Sequence, residues 1–158
     1  MIYIGIGSNL GNRINYIEKA KYYLHINGIN IIKSSRYYET LSWPDIRKPK
    51  FINVVIQTDT RFSPKRYLKI FKNIEKKLGR KKGKKNDPRT CDIDIISYDQ
   101  KISINSINLP HKRMHKRNFV LIPLYEIDKN WFHPKLKNTI KSLIFSLSIK
   151  DIRSIKQI

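Results

Sequence analysis

Strand-like and helix-like segments follow one another in the order strand, helix, strand, strand, helix, strand, and that order leaves few folds open. Ile2 to Ile6 alternates with Tyr3 and Gly5, as a strand does. Ile14, Ile17, Ala20 and Leu24 recur at helical spacing over Arg13–Ile26. Asn12 or Gly11 can cap that helix, and Asn27-Gly28 ends it. Ile29–Thr40 is rich in β-formers, and Phe51–Thr58 (FINVVIQT) reads as a strand. Ser63-Pro64 opens a second helix with Ser at the N-cap and Pro in the first turn. Its apolar stripe is Tyr67, Leu68, Phe71, Ile74 and Leu78, and Gly79 closes it. Thr90–Tyr98 and Ile102–Leu109 read as strands, Phe119–Tyr125 as a short apolar stretch, and Thr139–Leu147 as a helix. No internal repeat or Pro/Gly/Ser linker divides the chain, so residues 1–158 are expected to form a single domain. The fold class expected is α+β: a ferredoxin-like βαββαβ core, its mostly antiparallel sheet flanked by helices.

Lys and Arg number 33 against 12 Asp and Glu, a formal charge of +21 that invites a polyanion partner. The composition offers another cause. Ile, Lys and Asn make up 28, 23 and 13 of the 158 residues, beside ten Arg and one Ala. Ile, Lys and Asn all use AT-rich codons, so mutational bias raises the charge without any nucleic acid to bind. The informative residues are then the acids that stand out against this background and the arginines that are not lysine. The lone Cys91 excludes a disulfide framework and a cysteine-based zinc cluster. No apolar run approaches the ~18 residues of a membrane span. The start, MIYIGIGSNLGNR, lacks the basic region of a signal peptide. A soluble, cytoplasmic chain with no membrane partner is expected.

The sharpest local signal is Pro88-Arg89-Thr90-Cys91-Asp92-Ile93-Asp94-Ile95. On a strand Asp92 and Asp94 share one face while Ile93 and Ile95 enter the other. Two like charges side by side need a cation, and paired hard oxygens suit Mg²⁺ held together with substrate phosphates. The plainer alternative is that both carboxylates pair with lysines on a solvated face. Lys69–Arg89 carries ten Lys and Arg against Glu75 and Asp87, most of them readable as a solvated helix face. Arg80 and Arg89 differ, because a planar guanidinium grips phosphate oxygens bidentately and lysine does not.

His111 and His115 in Leu109–Phe119 (LPHKRMHKRNF) are four apart, but no third ligand adjoins them and H-E-x-x-H is absent, so zinc is not indicated. His111 can donate to phosphate, or the segment is a basic surface turn. Gly5, Gly7 and Gly11 do not form G-x-G-x-x-G, and Gly79-x-x-x-Gly83-Lys84-Lys85 is not a Walker A loop. A Rossmann site and a P-loop are therefore not supported.

Together, GSNLGNR (7–13), FINVV (51–55), the Glu75…Gly79-Arg80 helix end, PRTCDIDI (88–95) and LPHKRMHKRNFVLIPLYEI (109–127) resemble the 6-hydroxymethyl-7,8-dihydropterin pyrophosphokinase (HPPK) family of folate biosynthesis. The resemblance covers residues 2 to about 127 in order. It implies a ferredoxin-like domain that transfers pyrophosphate from MgATP to the hydroxymethyl group of a reduced pterin and releases AMP. It places Asp92 and Asp94 on two Mg²⁺ ions, and Arg80 and Arg89 as catalytic residues at the phosphates. Glu75, Lys82, Ile95, His111 and Arg117 join these two arginines in binding ATP. Thr40, Phe51, Asn53 and Phe119 bind the pterin, Asn53 reading its polar edge between aromatic walls. It departs at Asn86-Asp87, where the family commonly has Trp-Gly, and in a loop about one residue shorter. Lys82 stands where an arginine is frequent. Trp43 is then a candidate to cover the pterin. The partners expected are the two small-molecule substrates, with no nucleic acid and a monomeric chain. An RNA-binding sheet and a D-x-D nucleotide-sugar transferase are the alternatives, but there is no RNP-like motif and the chain is short for the latter.

Overall fold

The computed structural model describes residues 1–81, 83, 86–103 and 107–158. β1 (Ile2–Ser8) leads into α1 (Arg13–Ile26), whose Asn12 cap accepts from Asn15 N at 3.1 Å. β2 (Ile31–Ser34), β3 (Tyr38–Thr40) and β4 (Phe51–Thr58) follow, then α2 (Pro64–Lys77), capped by Ser63, and β5 (Asp92–Tyr98). The sheet runs β5-β1-β4 with β2 and β3 both on the far edge of β4, and every pair is antiparallel. That is the expected strand–helix–strand–strand–helix–strand core. The β-rich segment 29–40 splits in two at Ser35, whose Oγ takes the Val55 N–H that a carbonyl would take in an unbroken ladder.

Both faces of the sheet are covered. Ile4, Ile6, Val54, Ile56, Ile93 and Ile95 pack under α1 and α2. Tyr3, Val55 and Ile96 pack on the other face under α3 (Asn118–Ile127), beside a hairpin, β6 (Phe132–His133) and β7 (Asn138–Thr139), and α4 (Ile140–Phe145). Burial on two sides is why FINVVIQT reads as a continuous apolar run, not as an alternation. α5 (Ile149–Ser154) and β8 (Lys156–Gln157) end the chain, β8 adding to the edge of β3. None of the described helices is long and apolar enough to cross a membrane.

Two segments differ from expectation. Residues 119–125 belong to a helix, whose internal Pro123 hides its type in the sequence. The strand expected over 102–109 is not formed in its described part. Positive φ at Asp99, Gln100 and Ser103 turns the chain, Ser103 N meets Leu109 O at 3.1 Å, and only Ile107 makes an isolated bridge. Residues 104–106 of that stretch lie outside the described residues.

Candidate active site

The site is built on one end of the sheet face that looks away from α1 and α2. Register places Asn53, Gly7 and Asp92 in one row across β4, β1 and β5, with Val55, Gly5 and Asp94 in the next. Because β1 contributes only glycines there, its strand forms the floor of a trough between Asn53 and the two carboxylates. A Cβ on Gly7 would sit 2.9 Å from Asn53 Oδ1 and 3.5 Å from the Phe51 ring, too close for any side chain without displacement. Asn53 is buried, and its Nδ2 donates to Thr40 Oγ1 at 3.1 Å, so the carbonyl end of the amide lies over Gly7.

Opposite, α2 ends in a Schellman turn. Gly79 adopts φ +84°, Gly79 N donates to Lys76 O, and Arg80 N donates to Glu75 O at 3.0 Å. The turn folds Arg80 back over its own helix, where one Nη donates both to Glu75 Oε1 and, at 2.7 Å, to Asp92 Oδ1. Glu75 Oε1 also accepts Ile93 N at 2.8 Å on the free edge of β5. Glu75 thus ties α2, Arg80 and β5 together. Burial raises its carboxyl; the Ile93 N–H and Arg80 oppose that, and the two aspartates add to it. Arg89 Nε lies 3.5 Å from Asp92 Oδ2, too long for a hydrogen bond, and is buried with no hydrogen-bond partner among the described residues. Its guanidinium is 5.6 Å from the Phe51 ring centre. Burial pushes the Asp94 carboxyl above the usual carboxylate range, helped by Asp92 and opposed by Arg117, Arg89 and Arg80.

His111 N donates to Ile96 O at 2.8 Å, which sets the residue beside β5. Its Nδ1 accepts Arg113 N at 3.3 Å, so the neutral ring carries its proton on Nε2, as a donor. Burial first, then Arg117 and Arg113, lower its pKa to about 4; Asp92 opposes them. Between this value and the unfolded value of 6.5 the unfolded chain binds more protons, so His111 makes stability fall as pH falls from 6.5 towards 4. Ligand-free Tm is expected to drop over that window, and His111→Gln to make the drop shallower by several degrees. Scanning calorimetry that finds the same slope in both proteins refutes the assignment. Burial weakens the charged form of Arg117 as well, with Asp94 the main compensating charge, and its guanidinium lies 5.4 Å from the Phe119 ring centre.

A model of the family 7,8-dihydro-6-hydroxymethylpterin-pyrophosphokinase (HPPK) matches residues 3–129. The chain belongs to the HPPK family. It is 38% identical over 141 residues to the 2-amino-4-hydroxy-6-hydroxymethyldihydropteridine pyrophosphokinase of Aquifex aeolicus, covering 89% of this chain and 88% of that one. It is 37% identical over 155 residues to the folic acid synthesis protein fol1 of Pneumocystis carinii, where it spans 98% of itself and 21% of that protein. In fold it resembles the Plasmodium falciparum HPPK-DHPS crystallised with pteroate, with a TM-score of 0.71 at 14% identity, over 90% of this chain and 43% of that one.

Of the residues singled out in the sequence, Arg80, Arg89, Asp92, Asp94, His111 and Arg117 gather on the β5 side of the HPPK trough, and Thr40, Phe51 and Asn53 on the β4 side. Phe119 lies next to Arg117 at the start of α3. Ile95 points its side chain into the α1–α2 core, leaving only its main chain, on the sheet edge, to meet a ligand. Lys82 lies outside the described residues. Trp43 is 68% exposed, its ring 5.9 Å from the Arg113 guanidinium.

Two features carry the geometry without having been assigned to the site in the sequence. One is the glycine pair Gly5 and Gly7, legible as G-x-G on a strand. The other is Asn9, 2% exposed. Its Oδ1 accepts Arg89 N at 2.8 Å and its N donates to Arg89 O at 3.1 Å. Its Nδ2 reaches Ser42 Oγ and Pro49 O in the loop 41–50. Lys48 then crosses from that loop to Asn86 O at 2.9 Å and Asp87 at 3.5 Å, joining the two loops that flank the site.

Proposed function

We propose that this chain transfers pyrophosphate from MgATP to 6-hydroxymethyl-7,8-dihydropterin, releasing AMP; the pyrophosphokinase of a hydroxymethyl-dihydropterin named in the family description and in the Aquifex aeolicus relative supports the reading. The observation that carries it is the row Asn53–Gly7–Asp92. Two strand spacings, about 10 Å, separate an amide suited to a heterocycle edge from a carboxylate pair suited to metal-bound phosphates. A pterin lying over Gly7 with its polar edge on Asn53 would direct its hydroxymethyl group towards β5.

In this reading Asn53 accepts from the pterin N–H groups, held in orientation by Thr40, while Phe51 and Phe119 close over the ring faces. Arg80, Arg89, His111 and Arg117 donate to the triphosphate, and Glu75 positions Arg80. Asp92 and Asp94 would hold two Mg²⁺ ions. The donors fit: two hard oxygens on one strand face, with no third acidic, His or Cys ligand among the described residues, suit an ion that keeps phosphate oxygens and water. When bound, Mg²⁺ supplies charge neutralisation across the phosphates and aligns them. The pterin hydroxyl oxygen bonds to the β-phosphorus and releases its proton to water, the bond from that phosphorus to the oxygen of the α-phosphate breaks, and AMP departs carrying that oxygen. The protein's part is positioning and electrostatics.

We propose also that residues 1–158 act as one domain, as a monomer in the cytoplasm, and without nucleic acid. Sheets of this topology that bind RNA do so through an exposed aromatic face. Here much of that face is packed beneath α3 and α4.

The test is AMP release that requires both ATP and the reduced pterin; ATP turnover indifferent to the pterin would refute the reading. Asn53→Ala separates the two ligands. Its pterin affinity is expected to fall about tenfold to a hundredfold, since a buried heterocycle edge loses its partner at ~1–3 kcal/mol. Its affinity for a non-hydrolysable ATP analogue should barely change. Calorimetric titration with unchanged pterin affinity would remove Asn53 from the site.

A further inference from the structure

Asn118 is the first residue of α3, between Arg117 and Phe119, and only 9% exposed. Arg117 gives that helix no side-chain cap. Asn118 Oδ1 instead accepts Phe119 N at 2.7 Å. The other end of the same amide points at the C-terminal segment: Nδ2 donates to Asp151 O at 2.6 Å and to Ser154 Oγ at 3.1 Å. One side chain therefore joins the N-terminus of α3 to the carbonyl end of α5.

α5 needs that hold. It has six residues and buries none of them, and a helix so short is not stable alone in water. Beyond it, β8 lies along β3, with Gln157 opposite Tyr38, Lys156 opposite Glu39, and Ile158 N donating to Tyr37 O at 3.0 Å. Thr40, the next residue of β3, holds the Asn53 amide. Residues 149–158 thus run from one wall of the trough, at Arg117 and Phe119, to the other, at β3. They lie outside the region matched by the family model, which ends at residue 129.

We propose that Asn118 is a positioning residue, whose amide fastens residues 149–158 as a strap across the two walls and so fixes Phe119 and Thr40 against the pterin. The proposal rests on the pterin-binding reading above. The strap holds the chain neighbours of two residues on the pterin side, Phe119 and Thr40, and of one on the phosphate side, Arg117. Its loss falls harder on pterin than on ATP. Both ends of the Asn118 amide are taken by protein groups, so it acts through its neighbours.

Asn118→Asp tests this, because it keeps the acceptor for Phe119 N and removes the amide donor. Ile158→Pro tests it from the other end by deleting the N–H given to Tyr37. Thr139→Ala, which removes the cap of α4 without touching the strap, controls for general loss of stability. In ligand-free protein, amide exchange at Ile158 should accelerate in Asn118→Asp. In titrations, Asn118→Asp and Ile158→Pro should each raise pterin Kd about tenfold and the Kd of an ATP analogue by no more than about threefold, since loosened contacts cost binding in proportion to their number. The double variant should be little worse than either single one, and Thr139→Ala should leave pterin Kd unchanged. Wild-type exchange at Ile158 in Asn118→Asp overturns the fastening. Faster exchange with pterin Kd within twofold of wild type, or an equal rise in Thr139→Ala, overturns the positioning role. A wild-type chain that binds no pterin overturns the functional reading and the positioning role with it, while the exchange measurement, needing no ligand, still decides the fastening.

Discussion

Turnover in Asp94→Asn and in Asp92→Asn is expected to fall by roughly two to three orders of magnitude, about 3–4 kcal/mol of transition-state stabilisation. Each change keeps size and removes one of the two charges on the β5 face. The variants should part company in stability. Asp94 is a largely buried carboxylate whose charge is disfavoured by burial and by Asp92. With its folded pKa raised, the folded chain binds more protons than the unfolded one in the window above the ordinary carboxylate value, so stability falls as pH rises through that window. Asparagine removes this burden, and ligand-free Asp94→Asn should melt at or above wild type at pH 7. Asp92 instead accepts a hydrogen bond from Arg80 at 2.7 Å and faces Arg89 at 3.5 Å. Asp92→Asn should lower ligand-free stability by about 1–2 kcal/mol, the scale of one charge-assisted, partly exposed bond. Single-turnover assays and calorimetry on the same preparations decide it. Either variant with intact specific activity would make the pair structural.

The contrast between those aspartates was not legible in the sequence, where D-x-D gives a shared face and no more. What separates them is the Schellman turn that returns Arg80 to Asp92, and only the αL glycine at 79 hints at it. Helices α1 and α2 were legible because their caps and most of their apolar stripes agree with the packing they meet; Ile14, expected on the α1 stripe, is instead 41% exposed. α3 was not: it is apolar on nearly every side, wedged between sheet and α4, so no period survives in it. Arg80 and Arg89, which the structure brings to Asp92, were legible as arginines against a lysine background. Gly5 and Gly7 were read for the strand alternation, the GSNLGNR resemblance and the nucleotide motif they fail to make, but not as the floor of a site. Their function is to be empty, which becomes visible once register sets Asn53 on one side and Asp92 on the other. The strap at Asn118 depends on contacts across more than thirty residues, and no local pattern announces it.

Arg89→Lys is expected to lose at least about a hundredfold in turnover while keeping its charge and nearly all of the fold's stability. Asn9 grips the Arg89 main chain from both sides, accepting its N–H and donating to its carbonyl. The backbone therefore cannot shift to make up for a different side chain. From that fixed point the guanidinium lies against Asp92 along one edge and near the Phe51 ring, with its buried Nε lacking a hydrogen-bond partner among the described residues. In the proposed reading, a group in that place presents parallel donors to phosphate oxygens while staying next to Phe51, and so links the two substrates. A lysine ammonium reaches Asp92 and preserves the ion pair, which is why Tm should move little. It is a point charge without the planar fork, and it is more strongly hydrated. Affinity for an ATP analogue should fall only a few-fold, because long-range attraction survives, and the loss should appear in the chemical step. A lysine variant that turns over at the wild-type rate would reduce Arg89 to a positive charge. A variant that loses ATP affinity and turnover by the same factor would place the fork in ground-state binding instead.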